Sequence, residues 1–257
     1  MFQSPFLRKQ MQTATDIVEL LNRHQPAFQL QSGTPECLSS EAHFVDGPRE
    51  TGAIERKSYA SGDDVLRFIA ETVRGDWVTL ETGGGRSTCV FAATAKTHYC
   101  INPDMTANDL VRAFLTQHGQ MKAELHFLAR PSDQALPELS KDVLVDLAYV
   151  DGNHSFPIPI IDWHYMDVHL RQGGLLLVDD TQIRSVGILT EYLAAEESYA
   201  FERMLGNTSV WKKTKRARTW GWSTQGFNRV EAATVPTLRA DVGFVRRVAR
   251  RARSWLR

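Results

Sequence analysis

Residues 77–91 read WVTLETGGGRSTCVF, and this stretch settles the fold class. The β-branched and aromatic residues of DWVTLE (Asp76–Glu81) predict a strand. Three glycines end it, and the small-residue run from Thr88 to Ala95 predicts a helix. A strand that passes through glycines into a helix lets the backbone come close to a ligand, and the helix N-terminus offers free N–H groups. Two phosphate-binding patterns are excluded. A dinucleotide fingerprint needs a third glycine where Thr88 stands, and no G-x-x-x-x-G-K-[ST] loop is present. An acid on the last strand residue, Glu81, suits a cationic or amine-bearing ligand better than a pyrophosphate.

Outward from this loop, short apolar runs alternate with helical patterns. Strands are predicted over Thr97–Asn102, Glu124–Ala129, Leu144–Asp151 and Gly174–Asp179, with strand-like segments at Tyr199–Met204 and Thr208–Lys212. Helices are predicted over Ala107–His118, about Ile160–Arg171 and about Ser185–Glu197. Upstream, SGDDVLRFIAETV (from Ser61) opens a helix with Ser61 as its expected cap, and residues 12–22 form a shorter one. Strands alternating with helices imply a Rossmann-like, doubly wound, mainly parallel sheet of seven strands with helices on both faces. The expected organisation is an N-terminal helix and lid-like extension (1–60), the α/β domain (61–213) and a basic extension (214–257) ending in an amphipathic helix.

Composition adds limits. At 257 residues, with 42% hydrophobic and 23% charged, this is an ordinary globular chain. Formal net charge is zero but uneven: from Lys212 onward there are 13 Lys/Arg and two acids, against 17 and 28 before it. Cys37, Cys89 and Cys100 are odd in number and lack C-x-x-C spacing, so neither a disulfide framework nor a zinc site is indicated. No signal peptide or membrane span is read, and the cytoplasm is the expected compartment.

In open parallel sheets, ligands sit beyond the C-terminal strand ends. Asp151 ends the fourth strand there, and Asp179 and Asp180 end the fifth. If those strands are neighbours, three carboxylates converge, and a divalent cation with oxygen ligands (Mg²⁺, Mn²⁺ or Ca²⁺) resolves their repulsion. Otherwise Asp179 and Asp180 cap the next helix. His154, three residues past Asp151, is open to three roles: a general base, a metal or substrate contact, or a partner for a neighbouring loop.

E-x-G-x-G-x-S (Glu81–Ser87) after the first strand resembles the S-adenosylmethionine loop of class I methyltransferases. The resemblance runs through about residues 61–213. INPD (101–104) ends the second strand, LARPSDQALPEL (128–139) follows the third, and DGNHSF and VDDT follow the fourth and fifth. These motifs are most similar to the methyltransferase-24-like subgroup related to catechol O-methyltransferases. The resemblance implies S-adenosylmethionine held by Glu81, Gly83, Gly85 and Ser87, with Asn102 at the ribose and Ser132 and Asp133 at the adenine. It further implies a metal on Asp151, Asp179 and Asp180, and His154 as the base beside Asp151. Asn102 departs from the family's usual ribose-binding acid, although an amide also hydrogen-bonds a hydroxyl.

The expected function is metal-assisted O-methylation of a small or sugar-like hydroxyl acceptor. The rivals are an RNA or other nucleic-acid methyltransferase guided by the basic tail, and a cofactor-binding accessory protein without turnover. DVGFVRRVARRARSWLR (241–257) places Val245, Val248, Ala249, Ala252, Trp255 and Leu256 on one helical face and arginines on the rest. Such a helix suits an anionic surface at the inner membrane, a nucleic acid, the protein's own acidic body or a homodimer mate.

Overall fold

The computed structural model describes residues 16–23, 61–216 and 221–229. The tail helix expected over 241–257 and the lid-like stretch over 29–57 therefore lie outside the described residues. Residues 16–23 are helical (α1). The chain then runs α2 (Asp63–Thr72), β1 (Val78–Thr82), α3 (Arg86–Thr94), β2 (Thr97–Ile101), α4 (Met105–Gln117), β3 (Glu124–Leu128), the short α5 (Ser132–Ala135) and β4 (Val145–Val150). It continues through α6 (Ile158–His169), β5 (Leu170–Val178), α7 (Arg184–Ala195), β6 (Tyr199–Leu205) and β7 (Thr208–Lys213).

The seven strands pair in the order β3-β2-β1-β4-β5-β7-β6. Pairings from β3 to β5 are parallel, and β7 runs antiparallel to both neighbours. Period-2 alternation assigns the two cores. Leu147, Tyr149 and Leu177 pack with α1, α2, α3 and α4 on one face. Ala148, Val150, Leu176 and Val178 pack with α5, α6 and α7 on the other. A strand interior buried on both sides is why β4 (VDLAYV) reads as a nearly continuous apolar run.

Two sequence expectations change. Ser61 does not cap α2: Gly62 occupies the cap position without a side-chain bond, and the Ser61 hydroxyl is used elsewhere. The loop after β3 folds into α5 and a 3-10 turn (Leu136–Glu138) that sequence periodicity had no length to reveal. Two compact units are distinguished, Met1–Arg218 and Thr219–Arg257. The described part of the second includes a 3-10 turn, Phe227–Arg229, where Asn228 donates to the Trp222 carbonyl. Among the described residues no helix is long and apolar enough to cross a membrane.

Candidate active site

Register builds the site. Thr82 pairs with both Ile101 and Val150, and Val150 pairs with Val178. Gly83 thus leaves the sheet beside Asp151, and Asp151 beside Asp179. The Gly83 N–H donates to the Ile101 carbonyl at 3.0 Å, and the Asp179 N–H to the Val150 carbonyl at 3.0 Å.

Gly83 needs to be glycine on two counts. Its φ is +81°, and a Cβ there would stand 2.1 Å from the Asp151 carbonyl oxygen. At Gly84 a Cβ would meet Asn102 Nδ2 at 2.8 Å and Cys100 Sγ at 3.0 Å. Gly85 precedes α3, and its N–H donates to Thr88 Oγ1 at 2.9 Å.

Glu81 faces into the protein and is fully buried. Its carboxylate accepts from Ser87 Oγ at 2.7 Å and from Thr88 Oγ1, and pairs with His98 Nε2 at 3.1 Å. His98 Nδ1 meets Thr79 Oγ1 at 2.8 Å, and its ring stacks on Phe91. Glu81 therefore ties the glycine loop and α3 to β2. Among the described residues, Glu81, His98 and Cys100 also place potential ligand atoms within 4.8 Å of one another. Glu81 is already occupied by these donors, and burial pushes the Cys100 thiol well up, so a hydrogen-bond network describes the cluster better than a metal site. Cys89 and Cys100 are both free and buried; Cys37 lies outside the described residues.

Asn102 is buried beyond β2. Its amide donates to Asn108 Oδ1 at 3.0 Å and its carbonyl accepts from the Asp104 N–H at 3.3 Å, while Asp104 caps α4. Ser132 is half-buried at the start of α5, and Asp133 is exposed.

At the ends of β4 and β5, Asp151 stands beside Asp179, with Asp180 next in the chain, but among the described residues these three do not bring their carboxylate oxygens within 4.8 Å of one another. Asp151 keeps some solvent contact, yet protein surrounds its carboxyl. Burial pushes its pKa well above the usual carboxylate range, and the contact with Asp179 and the charges of Asp179, Glu81 and Asp180 push it further. Ser61 Oγ donates to Asp151 Oδ2 at 3.2 Å and lies 3.2 Å from the Tyr149 hydroxyl. Burial holds Tyr149 as a neutral phenol, so the donors run from Tyr149 to Ser61 to Asp151. Asp179 accepts from Thr208 Oγ1 of β7. Asp180 has φ +50°, a strained value for a non-glycine residue, and accepts from Gln182 Nε2 at 2.8 Å. Neither aspartate caps α7, whose cap residue is Ile183 without a side-chain bond.

His154 Nδ1 lies 3.9 Å from Asp180 Oδ2, with the imidazole largely buried. Its carbonyl accepts from Ser185 Oγ, pinning the loop to α7. Asn153 Oδ1 accepts from the Ser155 N–H at 2.7 Å, and Phe156 is 65% exposed beside it. Trp163 is core, packed between Tyr192 and Tyr199.

One buried acid escaped sequence inspection. Asp162 on α6 is fully buried, and burial raises its pKa to about 6, against the lowering effect of the Ser132 and Thr82 hydroxyls. The signal available in sequence was an acid among apolar residues in FPIPIIDW, which does not tell which residues it meets.

A family model described as a methyltransferase domain matches residues 80–181, the span holding the glycine loop, the strand-end aspartates and His154. No curated protein matches the chain. A protein from Klebsiella pneumoniae assigned as an O-methyltransferase is similar in structure, with TM-score 0.50 and 14% identity, covering 84% of this chain and 92% of that one. At that identity the likeness is one of fold. The O-methyltransferase TomG of Streptomyces achromogenes, solved with S-adenosylmethionine, aligns with TM-score 0.49 and 18% identity over 62% of this chain and 83% of its own. An rRNA methylase from Streptococcus thermophilus aligns with TM-score 0.45 and 15% identity over 58% and 93%.

Proposed function

We propose that this methyltransferase domain moves a methyl group from S-adenosylmethionine to a hydroxyl of a small or sugar-like acceptor, assisted by Mg²⁺ or a similar divalent cation. The observation that carries this is the rim where Asp151 stands beside Asp179, Asp180 lies 3.9 Å from His154, and the Gly83 loop passes against Asp151.

The residues fit both groups. For the cofactor, Gly83 and Gly84 keep Cβ atoms out of a cradle at the strand ends, and the buried Thr82 hydroxyl there has no hydrogen-bond partner. For the cation, Asp151, Asp179 and Asp180 offer only oxygen donors, and their like charges, added to the burial of Asp151, favour a cation among them. The cofactor supplies an electrophilic methyl on a sulfonium, and the cation makes an acceptor hydroxyl more acidic.

The chain's own residues supply the rest. His154 takes the hydroxyl proton on a ring nitrogen, and Asp180 at 3.9 Å favours the resulting imidazolium. Bound S-adenosylmethionine would supply a methyl whose C–S bond breaks as the acceptor's C–O bond forms, with the electron pair retained by sulfur. Tyr149 and Ser61 orient Asp151, and Glu81 holds the loop against β2, so acceptor and methyl are presented at a fixed separation.

The test is transfer of isotopically labelled methyl to a panel of phenols, polyols and sugars, with Mg²⁺ binding followed by calorimetry. His154→Ala should lower turnover by about 10²–10³ while leaving S-adenosylhomocysteine affinity within about twofold. Full activity in that variant removes the base role. Asp179→Asn should abolish Mg²⁺ binding, and failure of the unmodified protein to bind Mg²⁺, Mn²⁺ or Ca²⁺ with cofactor present removes the metal.

A further inference from the structure

The loop that follows β5 is held by the hairpin of β6 and β7. β7 pairs antiparallel with β5 as far as Val178 opposite Ser209, so one step further Asp179 faces Thr208. The Thr208 hydroxyl, 1% exposed, donates to Asp179 Oδ1. Past Asp180, the Asn207 carbonyl accepts twice from Thr181, from its N–H at 3.1 Å and from its Oγ1 at 2.8 Å. Gly206, with φ +54°, and Asn207 form the two-residue turn that joins the pair Leu205 and Thr208. One corner of the hairpin therefore grips the chain on both sides of Asp180.

Asp180 is the residue that needs this grip. Its φ of +50° lies in the left-handed region, which a residue with a Cβ occupies at a free-energy cost and keeps only where its surroundings hold it. In that conformation its Oδ1 accepts from Gln182 Nε2 at 2.8 Å, while Oδ2 stands 3.9 Å from His154 Nδ1. A return to negative φ swings the Cα–Cβ bond and carries the carboxylate away from the imidazole.

The far end of β7 keeps the corner in register. Lys213, 2% exposed, pairs with Asp167 Oδ1 of α6 at 2.9 Å, and the Tyr199 hydroxyl donates to the same oxygen at 2.5 Å. A slip of β7 by one residue would strand this lysine and turn Thr208 to the other face of the sheet.

We propose that Thr208 and Thr181 are positioning residues that clamp the acids after β5: Thr208 orients Asp179, and Thr181 keeps Asp180 left-handed with its carboxylate toward His154. This rests on the cation-assisted reading above, in which Asp179 and Asp180 hold the metal. Valine in either place keeps the branched shape and removes the hydroxyl donor.

Calorimetry of Mn²⁺ binding to the full chain at pH 7.5, with S-adenosylhomocysteine present, tests this, alongside thermal melts and crystal structures of the variants. Thr181→Val should weaken Mn²⁺ binding about fivefold, and Thr208→Val, whose lost bond reaches a carboxylate, about tenfold or more. Thr181→Ser and Thr208→Ser keep the hydroxyl and should restore Mn²⁺ affinity to within about twofold, with S-adenosylhomocysteine affinity equally steady in all four variants. In Thr181→Val crystals, Asp180 should leave the left-handed region or retreat from His154. Undiminished Mn²⁺ affinity in the valine variants, or equal losses in the valine and serine variants, overturns the proposal. If Thr208→Val fails to fold, Thr181→Val, at a half-buried site, decides. A protein that binds no Mn²⁺ at all overturns the cation reading; the crystals then judge the clamp alone, and an unmoved Asp180 in Thr181→Val overturns it.

Discussion

Replacing Asp162 by asparagine should stabilise the protein at neutral pH. Burial raises this carboxyl from an ordinary value of 3.8 to about 6. The folded chain therefore holds the proton more tightly than the unfolded chain, and stability falls as pH rises through the interval between the two values. The favourable state is complete below pH 3.8 and gone above about pH 6. At 1.36 kcal/mol per unit, the penalty at pH 7.5 is about 3 kcal/mol, and about half of it is present at pH 5. Asparagine carries no charge, so urea unfolding should show the variant more stable by up to about 3 kcal/mol at pH 7.5, with a gap about 1.4 kcal/mol smaller at pH 5. A variant less stable than the parent at pH 7.5, or a gap that does not change with pH, would refute the burial of an ionised carboxyl at this position.

Two further perturbations test how the rim is assembled. Gly83 and Gly173 both have positive φ, +81° and +86°, but a Cβ at Gly173 meets nothing within 4 Å. Gly173→Ala should cost only the backbone strain, about 1–2 kcal/mol, whereas Gly83→Ala should cost about 3 kcal/mol or more and weaken S-adenosylhomocysteine binding; equal melting shifts would contradict the close approach to Asp151. Ser61→Ala leaves the Tyr149 hydroxyl buried without its acceptor and should cost about 1–3 kcal/mol. Adding Tyr149→Phe should recover part of that loss, and strict additivity of the two substitutions would show the hydroxyls are not coupled.

Most of the scaffold was legible because each element carries its own period. The strand–glycine–helix unit at 77–91 and the acids closing the fourth and fifth strands could be placed from alternation and turn chemistry alone. The three aspartates were suspected of meeting because a parallel sheet puts the ends of neighbouring strands together. Where contacts cross between elements, sequence was silent, and at Ser61 it misled. Ser61 has the residue type and position of a helix cap, yet the packing of α2 over the sheet sends its hydroxyl to Asp151. Glu81 belongs to a ligand-binding motif by its neighbours in sequence, but pairing of β1 with β2 surrounds its carboxylate with Ser87, Thr88 and His98. Asn102, expected at a ribose, has its amide engaged by Asn108 and the Asp104 N–H.

Sequence by itself determined which residues form strands, where the chain turns, and that acids and a histidine stand at the C-terminal strand ends. These follow from local sterics and from the two hydrophobic periods, which act over a few residues. Tertiary structure alone decided which of those groups share a surface. The register of Val150 with Val178 sets Asp151 beside Asp179, and the approach of α6 to the β1 and β4 ends buries Asp162 against Thr82, Gly152 and Ser132. Hydrogen bonds and charge–charge effects depend on separation in space, and no local pattern records the distance between residues 82, 132 and 162.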